Sequence, residues 1–391
     1  MIPLPPKLPR YNIDERQQAV RDEVRVFCEK ENIVELGRRL DREPEPQKFP
    51  RDLYRKLCQA GFVGYPFPTE YGGRGKSPIQ YATLVEELCY TDPPICLLAA
   101  VGVLATEPIF NFGSDEQKKK YLPGCFTGEI VPSFALTEPE AGSDAANQQT
   151  QFKVEGDDFV INGEKIFIMH GDAADVFVLF GKIVENGKLG KVSTVLVDAD
   201  LPGVTRRPLE YKMGMKAATT GRIWFKDVRV PRSALLGEPN KGFRYAMMTL
   251  DSARVGVAAQ AVGIAQRTVD EAVERAKTRQ AFGAPIAKLQ AIQWMLADMS
   301  MRTEAARLLT YKAAILQEKG ERFGLASSHA KLYATETANF CVDRAMQIFS
   351  GYGFIGEFSH IEKLYRDQRV TEIYEGTSEI QRLVIANYLL R

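Results

Sequence analysis

The sequence predicts an α+β protein built from a helical domain over residues 1–132, a β-domain over residues 133–237 and a C-terminal four-helix bundle over residues 238–391. In the first and last parts, apolar residues recur every three or four positions, which is the period of an amphipathic helix. In the middle part, short apolar runs alternate with turn residues, as in a β-sheet. A chain of 391 residues can bury the cores of two or three such domains.

Charge and composition narrow the class of partner. Fifty-one basic and 50 acidic residues leave a net charge of +1, and 45% of the residues are hydrophobic. A nucleic-acid or anionic-membrane partner would favour a strongly basic chain. We therefore expect a soluble globular protein that binds neither.

The cysteines and histidines favour neither disulfides nor a metal centre. The three histidines are not at zinc-ligand spacing, so no metal is expected. Residues 1–9 contain four prolines and no continuous apolar run, so we predict no signal peptide and a cytoplasmic protein. No C-x-x-C pair occurs, and we expect reduced, buried thiols at Cys28, Cys58, Cys89, Cys96, Cys125 and Cys341.

The first part contains several helical patterns in succession. Residues 14–40 have one apolar face, and three prolines follow them. A capping box of Ser114 and Gln117 predicts a helix start, and Pro123 predicts its end. These two signals delimit a helix over residues 114–122. Gly-rich residues 71–75 predict a turn, because a phosphate loop would require a following Lys-Ser/Thr pair. Further helices are predicted over residues 53–60, 81–90 and 94–110.

The middle part predicts an antiparallel barrel or sandwich. Asn162-Gly163 lies between two apolar runs and predicts a two-residue hairpin turn. A second turn is predicted at residues 185–187. The remaining strands are predicted over residues 176–180, 192–197 and 222–230.

The last part predicts four amphipathic helices with short links, which is typical of a bundle. They cover residues 241–276, 288–318, 325–349 and the segment after Ser378. Small residues are frequent in the first of them and would let the helices approach closely.

One segment of this part, residues 365–381, places a carboxylate beside a predicted helix start. Ser378 and Gln381 have the spacing of a capping box, so Glu375 falls in the connection before the helix. Gly376 removes a side chain where a ligand could approach, and a helix N-terminus offers free N–H groups. By itself the segment could equally be a solvated loop with a capping residue.

Four motifs in the same order resemble those of the acyl-CoA dehydrogenase family over the full length of the chain. They are residues 135–144 (A-L-T-E-P-E-A-G-S-D), residues 279–290 (R-Q-A-F-G-A-P-I-A-K-L-Q), residues 347–353 and residues 365–381. The resemblance implies an FAD-dependent enzyme that converts an acyl-CoA to its enoyl-CoA. It also implies a homotetramer that passes electrons to an electron-transferring flavoprotein.

The resemblance assigns cofactor contacts to three groups of residues. The flavin would be cradled by Phe134, Leu136, Thr137, Gly142, Ser143, Phe167 and Met169. The diphosphate and adenine of a neighbouring subunit's FAD would contact Arg279, Phe282, Gln290, Gln347 and Gly351. The adenosine part would meet Thr377 and Glu379 at a helix start.

The resemblance also assigns the chemistry. Glu375 would remove the α-proton, since the family's second lineage has its base on the first bundle helix, where this chain has Ala253. Arg254 would organise the loop of the base, although it could also be a surface partner of Asp251. The substrate contacts would be Ser143, Asp251, Ser252, Arg254 and Gly376. The same site could run as an enoyl-CoA reductase, and a third alternative is a non-catalytic acyl-CoA-binding scaffold.

Two positions depart from the family pattern. Met169-His170-Gly171 replaces Thr-Asn-Gly, and methionine cannot donate the hydrogen bond that threonine makes near the flavin. Ser350 replaces a common glycine. The electron acceptor is therefore less constrained by the resemblance than the fold is.

The helix over residues 94–110 would line the acyl pocket in this family. No Lys or Arg occurs between residues 91 and 110, so a glutaryl-type substrate is disfavoured and a straight, branched or alicyclic apolar acyl group is expected. Asp92 precedes this helix as a predicted N-cap. Alternatively, Asp92 reaches the pocket as a second carboxylate that helps to oxidise a cyclic acyl-CoA. The expected lining is Ile95, Cys96, Leu97, Leu98, Ala100, Val101, Val103 and Leu104.

Overall fold

A computed structural model describes residues 4–8, 10 and 12–390. The proline-rich opening, from which we predicted no signal peptide, lies partly outside the described residues. The N-terminal region is helical, as predicted. Its helices are α1 (Arg16–Lys30), α2 (Ile33–Asp41), α3 (Arg51–Gln59), α4 (Pro78–Thr91), α5 (Pro93–Phe112) and α6 (Asp115–Thr127).

Two helix boundaries in this region differ from the predictions. The helix predicted over residues 14–40 is interrupted at Asn32, which adopts a left-handed conformation (φ 49°) between α1 and α2. The predicted end of α6 at Pro123 is wrong, since the helix continues to Gly128 (φ 80°). The Ser114–Gln117 capping box is confirmed. Burial of Leu122 and Cys125 on either side of the proline holds the last turn despite the missing N–H.

The middle region is a seven-stranded sheet. Its order is β1-β4-β2-β3-β7-β6, with β5 paired to β4. β1 and β2 both run parallel to β4, so the expectation of a wholly antiparallel sheet is wrong. The strands are β1 (Pro132–Ala135), β2 (Gln151–Glu155), β3 (Asp158–Met169), β4 (Val176–Glu185), β5 (Lys188–Asp198), β6 (Val204–Pro208) and β7 (Thr220–Pro231).

The hairpin predicted at Asn162-Gly163 is wrong. β3 runs through both residues, and Glu155 pairs with Asp158 at the actual turn. Asn162 instead exchanges two hydrogen bonds of 3.0 Å with Asp227 at a shift in the β3–β7 register. A Cβ at Gly163 would lie 2.7 Å from the Thr150 Cα, so this glycine allows a close strand approach. The turn predicted at residues 185–187 is confirmed.

The C-terminal region contains the four predicted helices and two shorter ones. The long helix α7 packs against α4, α8 and α9. A two-stranded ribbon, β8 (Gln280–Ala281) and β9 (Ala284–Pro285), connects α7 to α8. The helices are α7 (Gly242–Thr278), α8 (Gln290–Glu318), α9 (Gly324–Phe349), α10 (Gly351–Phe354), α11 (Ile361–Gln368) and α12 (Ser378–Leu389).

Helix α5 is the apolar centre of the N-terminal region. Among the described residues it is the one helix that is long and apolar enough to cross a membrane, and 67% of its most apolar window is buried within the protein. It packs against α4, α6 and α7, which is the environment of a core helix. The six cysteines are free and buried.

Gly263 on α7 marks a close approach to α4, and Gly256 on the same helix provides a control. A Cβ at Gly263 would clash with the Glu86 carbonyl oxygen and lie 3.0 Å from the Cys89 Cβ, whereas at Gly256 the nearest atom, on Tyr81, is 4.0 Å away. We expect Gly263→Ala to lower the free energy of unfolding by about 1–3 kcal/mol. Gly256→Ala should leave it unchanged or raise it by up to about 1 kcal/mol. Denaturant titration measures both, and equal effects would contradict the close approach.

Candidate active site

A cleft of about 1020 Å³ opens between the sheet, α5, α7 and the loop before α12. Its walls are mostly apolar, with a few polar groups that converge on one side. All seven residues predicted to cradle the flavin line it, together with the predicted base and two further predicted substrate contacts. These lining residues are Phe134, Leu136, Thr137, Gly142, Ser143, Phe167, Met169, Arg254, Glu375 and Gly376.

A buried ion pair holds the loop after β1 at the edge of this cleft. Lys165 donates to the Glu138 Oε1 atom at 2.7 Å and to the Leu136 carbonyl at 3.0 Å. Glu138 also accepts from the Thr150 N–H at 3.0 Å. Burial lowers the pKa of Lys165 to about 8, against the attraction of Glu138. Sequence analysis missed this pair, although a lysine in the middle of an apolar strand is a signal for it.

Glu375 is held by its backbone, which leaves its carboxyl group available. Its φ of 53° is left-handed, and its carbonyl accepts hydrogen bonds from Arg254 Nε at 3.4 Å and Gln381 Nε2 at 3.2 Å. The Oε2 atom is buried without a hydrogen-bond partner among the described residues. Burial raises the pKa of Glu375 to about 7, while the charges of Lys331 and Arg254 act in the opposite direction.

The cap of α12 differs from the prediction by one residue. Thr377 is the N-cap and accepts from the Ile380 N–H at 3.3 Å, and Ser378 is already helical. Gln381 donates instead to the carbonyl groups of Glu375 and Gly376. The predicted capping box is therefore wrong, and its glutamine has the different role of fixing the loop that carries Glu375.

Arg254 makes both of the contacts that the sequence left open. Its Nη1 atom donates to Asp251 Oδ1 at 2.7 Å, and its Nε atom donates to the Glu375 carbonyl. A second cation, Lys331 on α9, was missed by sequence analysis. It donates to the Gly376 carbonyl at 2.7 Å, and burial lowers its pKa to about 8. Its place on the apolar face of a predicted helix could have identified it.

A second cavity, of about 920 Å³, shares Leu104 and Glu375 with the cleft. Ala100 and Val103, two of the residues predicted to line the acyl pocket, line it from α5, and Ser252 lines it from α7. Leu97 and Val101 line the first cleft instead. The other three predicted lining residues are buried and line neither cavity: Ile95, Cys96 and Leu98.

Asp92 is a helix cap and a structural ion-pair partner. Its Oδ1 atom accepts from the Ile95 N–H at 3.2 Å, which confirms the N-cap prediction. Its Oδ2 atom lies 2.9 Å from Lys363 Nζ, which also binds Asp367 at 2.7 Å. Asp92 lines neither cavity. The interpretation of Asp92 as a second carboxylate in the pocket is therefore wrong, because its charge is already paired in the core.

The residues predicted to reach a neighbouring subunit's cofactor lie outside the cleft. Phe282 is 94% exposed and adopts a left-handed conformation in the ribbon between α7 and α8. Arg279 stands 5.9 Å from the ring of Tyr352. All five residues predicted to contact the diphosphate and adenine of a neighbouring subunit's FAD are exposed: Arg279, Phe282, Gln290, Gln347 and Gly351. Thr377 and Glu379 lie at the start of α12 and do not line the cleft either.

The unusual Met169-His170 pair is divided between the cleft and the core. Met169 lines the cleft. His170 is fully buried, with its ring 5.0 Å from Phe49 and 5.4 Å from Tyr54. Burial lowers the pKa of His170 to about 3, so it is neutral at physiological pH. Only the methionine can therefore contact a ligand in the cleft.

Three family models match consecutive parts of the chain. They are described as the N-terminal domain (residues 14–129), middle domain (residues 133–228) and C-terminal domain (residues 240–390) of acyl-CoA dehydrogenase. A short-chain-specific acyl-CoA dehydrogenase from Clostridium acetobutylicum is 40% identical over 384 residues, covering 97% of this chain and 100% of that protein. A 3-(aryl)acrylate reductase from Clostridium sporogenes is 43% identical, covering 96% and 99%.

Solved structures have the same fold. A chain from work on the electron transferring flavoprotein of Acidaminococcus fermentans has a TM-score of 0.91 and 38% identity, covering 98% of this chain and 100% of that chain. An acyl-CoA dehydrogenase complexed with FAD, from Bacillus anthracis, has a TM-score of 0.90 and 31% identity, covering 98% and 68%. The predicted arrangement of helical, β-sheet and helical regions is thereby confirmed.

The position of Lys331 predicts a change in the titration of Glu375. Removing a nearby positive charge disfavours the carboxylate, so Lys331→Met should raise the pKa of Glu375 above about 7. The infrared band of the protonated carboxyl, assigned by its loss in Glu375→Gln, should then persist to higher pH. Lys312→Met, which changes an exposed lysine on α8, should leave the pKa of Glu375 unchanged. A band that moves to lower pH in Lys331→Met would contradict the assignment.

Proposed function

The chain belongs to the acyl-CoA dehydrogenase family and is an FAD-binding oxidoreductase, and from this premise we propose that it dehydrogenates an acyl-CoA thioester between its α and β carbons. The observation that carries the proposal is the Glu375 carboxyl, whose Oε2 atom has no hydrogen-bond partner among the described residues and is buried in a cleft lined by the predicted flavin contacts. Such a carboxyl is suited to accept a proton from a ligand in the cleft.

The residues of the cleft fit FAD. Phe134, Leu136 and Met169 give apolar contact for a flat ring, and Thr137 and Ser143 offer hydroxyl groups beside them. A Cβ at Gly142 would meet no atom within 4 Å, so the loop leaves open space there. Bound FAD supplies the acceptor for the hydride that leaves the β carbon.

Glu375 acts as the general base in this proposal. A base works best when its pKa lies near the working pH, and burial raises the pKa of Glu375 to about 7. Arg254, Lys331 and Gln381 hold its loop through backbone carbonyls, so the carboxyl stays free for the substrate proton. In this proposal the Glu375 backbone N–H donates to the thioester oxygen, as the family resemblance implies.

The acyl group is proposed to be uncharged and largely apolar. The second cavity adjoins Glu375 and is lined by Ala100, Val103 and Val255, which suits such a group. A short-chain acyl-CoA is favoured because the C. acetobutylicum relative is named short-chain specific. An anionic acyl end would lose hydration and lie near the Glu375 carboxyl, and Lys76 is its one possible cation partner among the described lining residues.

The direction of the reaction has one specific alternative. The relative from C. sporogenes is named a reductase, so reduction of an enoyl thioester at the same site is the second candidate. The same residues would serve either direction, because the proton returns from Glu375 along the path by which it left. A catalytically silent scaffold is less favoured, since a silent site has no need of a free buried carboxyl.

We further propose an electron-transferring flavoprotein as the electron acceptor, a homotetramer and a cytoplasmic location. The flavoprotein is supported by the similarity to the chain from the A. fermentans work. The tetramer is supported by the exposed Phe282 and by the predicted cofactor residues that lie outside the cleft of their own chain. In a shared site, these residues would complete the FAD contacts of a neighbouring copy.

Glu375→Gln tests the base. The amide keeps the shape of the side chain but does not accept the proton, so kcat should fall at least about 100-fold while acyl-CoA binding persists. In the wild-type enzyme, the rate should rise with pH through about 7, because only the ionised carboxylate accepts the proton. The exposed Glu357→Gln serves as the control. A Glu375→Gln enzyme with more than about a tenth of wild-type kcat would mean that another group is the base.

Arg279→Ala tests the shared cofactor site. Losing a charge-assisted contact to the diphosphate should weaken FAD retention, measured as the FAD-to-protein ratio after dialysis. Lys277→Ala removes an exposed positive charge two positions earlier and should retain the cofactor. Sedimentation should show tetramers for the wild type. Monomers that hold a full complement of FAD would rule out a shared site.

A further inference from the structure

Glu107 is a second carboxyl group in the cavity that adjoins Glu375. It lies on α5 and lines the second cavity together with Ser252, Asn111 and Glu375 itself. No role was predicted for it from the sequence. The cavity is therefore apolar on most of its wall, and the charged residues of its described lining are Lys76, Glu107 and Glu375.

Glu107 has hydrogen-bonding neighbours but no cation partner. Burial and the nearby Glu375 raise the pKa of Glu107 to about 8, whereas Ser252 and Asn111, which line the cavity beside it, act in the opposite direction. Lys76 lines the same cavity, yet within the described residues no lysine or arginine forms an ion pair with Glu107. The carboxyl group thus lacks the partner that buried acids elsewhere in this chain possess, such as Lys363 for Asp92.

A carboxyl group in such a place disfavours some ligands. An apolar acyl chain packed against it would exclude water and offer no hydrogen bond in return. An acyl group with a terminal carboxylate would face two acids, Glu107 and Glu375, against the single cation of the described lining, Lys76. A terminal ammonium would suit only the ionised form of Glu107, and its charge would lower the pKa of Glu375 from about 7.

A hydroxyl group avoids these conflicts, because it can both donate and accept a hydrogen bond. It can therefore pair with Glu107 whether the carboxyl is protonated or ionised, and it brings no net charge near the base. Resting on the proposed function, we propose that Glu107 is a specificity-determining residue that binds a hydroxyl group on the acyl chain, so that the enzyme prefers hydroxylated acyl-CoA substrates.

Matched pairs of substrates test this specificity in the FAD-loaded enzyme. Hexanoyl-CoA is compared with 6-hydroxyhexanoyl-CoA, and butyryl-CoA with 4-hydroxybutyryl-CoA, by kcat/KM with an artificial electron acceptor. The wild type should prefer the hydroxylated member of at least one pair by on the order of tenfold to a hundredfold. Glu107→Leu should reverse this preference by improving the apolar substrate and impairing the hydroxylated one. Glu107→Gln retains hydrogen bonding and should keep part of the preference for the hydroxylated substrate.

The exposed Glu321→Leu is the control and should behave as the wild type does. An unchanged preference in Glu107→Leu would overturn the inference, as would a wild-type preference for 6-aminohexanoyl-CoA or adipyl-CoA over the hydroxylated substrate.

Failure of the proposed function would appear differently. In that case no acyl-CoA would bleach the flavin of the wild type, although the ligands could still bind. Binding measured from the shift of the FAD absorption spectrum then decides the inference. Tighter binding of the hydroxylated ligand that is lost in Glu107→Leu supports it, and equal binding of both ligands overturns it.

Discussion

The active site depends on burying the Glu375 carboxyl group without neutralising it. An ion pair at the carboxylate would hold its pKa low and make it a poor base. The chain instead directs Arg254, Lys331 and Gln381 to the carbonyl groups of the loop. The charges of Arg254 and Lys331 are near enough to limit the rise of the Glu375 pKa but do not occupy its oxygens, so the pKa stays at about 7. The loop is rigid and the carboxyl is available.

Paired charges elsewhere fix the walls against which this carboxyl works. The Lys165–Glu138 pair holds the loop after β1, and Lys363 joins the start of α5 to α11 through Asp92 and Asp367. Removing one partner of a buried pair commonly costs about 3–5 kcal/mol, because the other charge is left unpaired. These pairs therefore hold the walls of the cleft in place, and their carboxylates are not available to act as a base.

The sequence predicted the fold well because helical and strand periodicity are local properties. Prediction was less reliable at positions where a residue that suits one local motif is used in the structure for another contact. Asn162-Gly163 favours a tight turn, but the same glycine also allows Thr150 to approach a continuous strand. Ser378 and Gln381 have capping spacing, yet Thr377 precedes them and caps the helix, because the loop requires the amide of Gln381. The cation partners of Asp92 and Glu138 lie far away in the chain, so spacing could not identify them.

The contrast between Asp92 and Glu107 shows why spacing alone could not find the second acid of the cavity. Both lie on or beside α5, but Asp92 is buried in the core and Glu107 is half-buried at the cavity wall. Asp92 caps the helix and meets Lys363 in the core, whereas Glu107 has no ion-pair partner among the described residues and faces the cavity beside Glu375. An acid whose charge is already paired has little to gain from a ligand, while an unpaired one gains a hydrogen bond. The chemistry of the bound acyl group is therefore constrained by Glu107 rather than by Asp92.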